Sequence, residues 1–140
     1  MAGKSLSRKS TSLPESEKIT INLGFVDLGH IDLLVKEGFY SNRTDLIRTA
    51  IRQHLMQHAE VLKQTVTRKT LTLGLHHFTR SDLEAVRASG ERLQLRVLGL
   101  ASIAPDVSVE LALATIDSIL VLGALSASPE VKAALADRMR

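Results

Sequence analysis

Lys18, Thr20 and Asn22 stand at alternate positions of Glu-Lys-Ile-Thr-Ile-Asn-Leu-Gly, residues 17–24. Their side chains are suited to reading base edges. Lys donates to guanine O6 and N7, Asn bonds adenine twice, and Thr offers thymine a hydroxyl or a methyl. Between them lie Ile19, Ile21 and Leu23. Such alternation predicts a strand with one polar and one apolar face. A lone strand can neither pair its backbone nor bury that apolar face. No second strand is expected before the two helical segments that follow. The economical partner is a second copy of the chain. Two antiparallel copies make a ribbon that presents Lys, Thr and Asn to a major groove.

Other chemistry is sparse. The sequence holds no Gly-rich phosphate loop, nucleophile elbow or His-Glu-x-x-His, so no enzyme is expected. Asp106, Glu110 and Asp117 read as caps and surface charges. His54 and His58 share a helix face at i, i+4, a spacing that can bind a metal. Solvent-facing histidines are the simpler account, and neither a metal site nor a cofactor is expected. His76 and His77 are adjacent and would face opposite sides of a strand. Cysteine is absent, which excludes disulfides and thiolate metal sites and suits a reducing cytoplasm.

The chain has 140 residues, 44% of them hydrophobic but only 3% aromatic, so its core must be aliphatic. Its polar N-terminus has no apolar segment of the secretory kind. The most apolar run, Ile119 to Leu125, is too short to span a bilayer. The first 69 residues carry 11 Lys and Arg against 7 Asp and Glu; the remainder carry 7 against 8. The excess positive charge therefore sits in the first half.

Residues 1–16, rich in Ser with Lys4, Arg8 and Lys9, read as a flexible basic arm. A first helix is expected from an Asp27 N-cap, with a stripe of Leu28, Ile31, Leu34 and Val35 and a stop at Gly38. A second starts at Ser41 or Asn42, with Leu46, Ile47, Ala50, Ile51 and Leu55 on one face and Leu62 beyond. Polar residues 63–70 mark a boundary. Past it, Leu73-Gly74-Leu75, Leu98-Gly99-Leu100 and Leu122-Gly123-Ala124 recur 25 and 24 residues apart. Each is read as a strand followed by a helix, capped by Ser81, Ser108 and Ser128 in turn. Strand–helix units with connections of that length imply parallel strands.

The order strand, helix, tight turn, helix over about residues 17–62 resembles the ribbon–helix–helix (Arc/MetJ/CopG-like) family of DNA-binding proteins. Ile-Thr-Ile-Asn-Leu, then Leu28, Ile31 and Gly38, then Ser-Asn-Arg-Thr-Asp-Leu-Ile-Arg-Thr-Ala-Ile-Arg carry the resemblance. Gly24-Phe25 departs from the Pro or Ser lead-in of many members, and the connection between the helices is slightly long. The resemblance implies an intertwined homodimer with Ile19, Ile21, Leu23, Ile31, Ile47 and Ile51 in a shared core. It places Lys18, Thr20 and Asn22 at the groove-entering positions. Ser41, Asn42 and Arg43, at the start of the second helix, would hold a backbone phosphate, an anion suited to that helix end. Lys4, Arg8 and Lys9 would add salt-sensitive phosphate contacts. Nickel-responsive regulators of similar build use His-x-His and Cys, which the second half here lacks.

The expected fold class is α+β: an N-terminal ribbon–helix–helix at 17–64 and a small C-terminal α/β domain at 70–140 of about three strand–helix repeats. The expected function is a sequence-specific regulator, acting as a repressor on double-stranded DNA in the cytoplasm at the nucleoid, with the repeats joining dimers into tetramers or longer arrays. Two other readings stand beside it. One is a scaffold protein polymerising through the repeats; the other is a ligand- or metal-responsive regulator.

Overall fold

A computed structural model of the chain describes residues 16–140, which fall into two compact units, one of residues 18–65 and one of residues 66–140 together with 16–17. The arm residues Lys4, Arg8 and Lys9 lie outside the described residues.

Residues 16–24 form neither helix nor strand, and in the first unit Ile19 and Ile21 are 74% and 60% exposed. The strand expected there is absent from the single chain, because a strand needs a ladder partner and none of the described residues supplies one. Helix α1 (Phe25–Lys36) starts two residues before the expected Asp27, with Gly24 as N-cap and Asp27 in the first turn. It ends as expected at Gly38, whose φ is +87°. There the Phe39 amide donates to the Leu34 carbonyl at 3.0 Å and the Gly38 amide to Val35 at 3.1 Å. That pair of bonds is the Schellman closure, which favours glycine at its left-handed position.

Helix α2 (Arg43–Gln57) is capped by Asn42, whose side chain accepts from the Asp45 amide at 2.8 Å. It breaks at His58, and α3 (Ala59–Arg68) follows. The polar residues 63–68, expected to be a boundary, are therefore helical. Their composition misleads because Gln64 bonds back to Glu60 at 3.1 Å, one turn earlier, which suits an exposed helix.

The second unit is a three-stranded parallel sheet of β1 (Thr72–Phe78), β2 (Leu93–Ile103) and β3 (Ile116–Ser126), in that spatial order. Helix α4 (Arg80–Ser89) joins the first two strands, and α5 (Val109–Thr115) joins the second and third. Helix α6 (Pro129–Ala134) follows β3. Ser108 and Ser128 cap α5 and α6 as expected, but Thr79 and not Ser81 caps α4. Thr79 and Asp82 form a reciprocal capping box, and Glu84, the acid that Ser81 would need, is held by Arg80 at 2.8 Å. Asp82's hydrogen bonds from Thr79 hold its carboxyl below the usual range.

The Leu-Gly repeat is a structural register. Gly74 pairs with Gly99 and Gly99 with Gly123; the leucines ahead of them, Leu73, Leu98 and Leu122, align likewise. All three glycines have φ between +110° and +140°, so each strand bends there in a way that side-chain-bearing residues resist. A Cβ on Gly99 would lie 2.3 Å from the Gly74 carbonyl oxygen, and one on Gly123 would lie 2.1 Å from that of Gly99. The bends stack by direct backbone contact.

The core of this unit is aliphatic, as the composition requires. Leu83, Leu95, Ile103, Leu111, Ile116, Ile119, Val131 and Leu135 are all buried. At about 1.5–3 kcal/mol for each large side chain, such a cluster can hold a small sheet of its own. Ser102 is buried as well, with its hydroxyl 3.1 Å from His77 Nδ1.

Candidate nucleic-acid interface

No residue between 18 and 65 is buried. All six residues assigned to a shared core are at least partly accessible: Ile31 and Ile47 are half-buried, and Ile19, Ile21, Leu23 and Ile51 are exposed. Phe25, Val26, Leu33 and Phe39 are exposed too. Marginal folds do not spread that much apolar surface in water without a cover. Lys18, Thr20 and Asn22 are equally exposed, so nothing within the unit occupies their side chains.

The start of α2 is more tightly built. The Ser41 amide donates to Asp45 Oδ2 at 2.9 Å while Asn42 Oδ1 takes the Asp45 amide, so the first turn is tied from both sides. The amides of Arg43 and Thr44 are left with no acceptor inside the helix, at its positive end. Beside them lies a shallow cavity of about 370 Å³, lined by Ser41, Asn42, Thr44, Asp45, Arg48 and Arg52.

Arg43 is held. Its Nε and Nη2 donate to Asp32 Oδ1 and Oδ2 at 2.7 and 2.8 Å, a bidentate clamp from α2 to α1. That hydrogen bonding lowers the Asp32 carboxyl from its usual value and raises Arg43. Both side chains remain about half exposed, so the clamp sets orientation more than stability. Arg48 and Arg52 line the cavity and had no assigned role in the sequence. The signal for them is the run Thr44, Arg48, Arg52, three residues one helical turn apart on one face. The rings of His54 and His58 meet edge-on, with centroids 5.2 Å apart.

Residues 18–65 thus combine an extended lead-in, two helices around a tight turn and no buried residue of their own. The chain belongs to the ribbon-helix-helix transcriptional regulator family, whose model matches residues 14–132. DNA-binding transcriptional regulation is the class of function that this membership carries, and such regulators act as dimers. No curated protein and no solved structure matches the chain significantly. Among the described residues, no helix is long and apolar enough to cross a membrane.

Proposed function

We propose that this chain is a sequence-specific repressor. Two copies pair residues 17–24 into an antiparallel ribbon that enters the major groove of double-stranded DNA. Lys18, Thr20 and Asn22 touch base edges. The start of α2, with Ser41, Asn42 and Arg43, takes a backbone phosphate, and Arg48 and Arg52 extend the basic surface. Lys4, Arg8 and Lys9 add contacts that depend on salt and not on sequence. The second unit assembles dimers into higher oligomers, which raises local concentration on DNA. Ile19, Ile21 and Leu23 supply the shared core, with Ile31, Ile47 and Ile51 behind them.

The observation that supports this reading best is the complete lack of buried residues in 18–65, set beside the family match. Selection of bound DNA from a random pool tests it. The expected product is a short motif with two-fold symmetry, because a dimer of identical ribbons reads two related half-sites. Recovery of unenriched DNA would overturn it and favour a scaffold that only assembles.

The Asp32 clamp gives a second expectation. Asp32→Asn releases Arg43 toward the phosphate and removes a nearby negative charge. The slope of log affinity against log salt should steepen by about two for a dimer, one contact per protomer. Titrations at several salt concentrations measure it. An unchanged slope means that freeing Arg43 adds no contact, and Arg43→Ala, expected to make the slope shallower by about two, then decides whether Arg43 belongs to the phosphate set.

A further inference from the structure

The second unit is a stack that stops without closing. Its strands lie in sequence order, so among the described residues β1 and β3 are both edges. A sheet edge exposes unpaired amides and carbonyls and is a template for another strand. The two edges share the register of the glycine ladder.

The C-terminal residues cover only the first part of β3. Met139 bridges Ile119 in parallel, the Arg140 amide donates to the Ile119 carbonyl at 2.8 Å, and Arg138 donates to the carbonyls of Leu113 and Ile116 at 2.6 Å. Past Ile119, no strand among the described residues pairs with the outer edge of β3. Through β2, the segment Val121–Ser126 is in register with Thr72–His77 of β1. The uncovered part of one edge therefore has the length of the strand that forms the other.

Glycine geometry gives the stack a direction. The missing Cβ of Gly123 points at the carbonyl of Gly99, and that of Gly99 at the carbonyl of Gly74. Gly74 shares the bend, with φ +110°, but its Cβ direction meets nothing within 4 Å. Each bend receives the backbone of the strand before it, and at Gly74 no described residue takes that place. The leucines agree. Leu98 and Leu100 on the central strand are half-buried, whereas Leu73, Leu75 and Leu122 on the edges are 62%, 66% and 47% exposed.

We infer that β1 of one copy adds in parallel to the uncovered edge of β3 in a second copy, Leu73 beside Leu122 and Gly74 beside Gly123, so that the glycine ladder continues across the junction. This rests on the oligomerisation reading above and gives it a surface. The contact is heterologous: each copy offers a different edge, and each junction leaves one edge of each kind for the next copy. Combined with a two-fold ribbon dimer, it produces open-ended assemblies.

The chain has no cysteine, so placed thiols report without background. Full-length Leu73→Cys and Leu122→Cys variants are purified separately, then treated alone and mixed with a short bis-maleimide. In-register neighbours on adjacent strands lie about 4.8 Å apart, within reach of that reagent. The mixture should give a cross-linked product at least ten times more abundant than either variant alone. The double variant should give a ladder of products beyond the dimer. Leu75→Cys with Ala124→Cys repeats the test at a second register position, should the first pair fold poorly. Cross-linking of either single variant to itself, at a yield matching or exceeding the mixture, overturns the head-to-tail contact. So does a lack of cross-links at both register pairs. Sedimentation of the unmodified chain separates the two failures. Species larger than a dimer without these cross-links leave oligomerisation standing through another surface, and a dimer alone removes both.

Discussion

Replacing Lys18, Thr20 and Asn22 together by alanine is expected to abolish discrimination between the selected DNA and random DNA while leaving the dimer intact. A dimer presents six such side chains. Each well-placed bidentate contact discriminates by about 1–3 kcal/mol, and specific sites are usually bound at least ~10³-fold more tightly than random ones. The selectivity ratio should therefore fall by roughly a thousandfold or more. Binding to random DNA should weaken far less, because phosphate contacts carry it and only Lys18 brings a charge. All three side chains are exposed and have no packing role within their unit, so thermal stability should hardly move. Competition titration against random duplex, with sedimentation on the same samples, gives both answers. Selectivity that survives the triple change would remove the ribbon as the reader.

The opposite face of the same segment should respond in the opposite way. Ile21→Asp puts a carboxylate from each copy into the proposed shared core. Burying unpaired charge costs several kcal/mol, so the charge stays solvated and the ribbon fails to form. The expected outcome is a dimer weakened by more than about a hundredfold, with DNA binding lost alongside. The helices α1 and α2 should melt out, since their unit has no buried residue to hold them alone. The second unit, with its own core from Leu83 to Leu135, should keep its transition. Circular dichroism melts and sedimentation over a range of concentrations report both. A stable dimer in this variant would place Ile21 outside the core.

Some features are legible in the sequence because one local cause produces them. Gly38 stops α1 since only its backbone reaches the left-handed closure easily. Asn42 starts α2 through one side-chain bond. The leucine–glycine repeat reads directly as register because equal spacing brings Gly74, Gly99 and Gly123 side by side. Other features depend on choices between near equals. Asp27 suits an N-cap but serves equally in the first turn, where the helix end favours an acid. Thr79 and Ser81 each precede an acid by three residues, and Arg80 decides between them by taking Glu84. At the candidate site, the first-turn tie of Asp45 back to Ser41 and Asn42 follows from their spacing. The Asp32–Arg43 clamp does not, because it forms only once the turn folds α2 against α1. Residues 17–24 are the extreme case: their alternation is plain, yet the single chain forms no strand there, and the proposed pairing lies between two chains.

In the proposed dimer, a unit with no buried residue of its own ties the regulator's activity to the chain's abundance. Below the dimer dissociation constant, the folded reading head grows with the square of the chain's concentration, so halving the copy number removes about three-quarters of it. Occupancy of a target then drops more steeply than dilution itself. Released monomers expose Ile19, Ile21, Phe25 and Phe39 to water, the kind of apolar, unfolded segment that cellular proteases clear first. On the proposed reading, the lack of a core in residues 18–65 sets a dosage threshold: enough chain keeps the target covered, and a modest shortfall uncovers it.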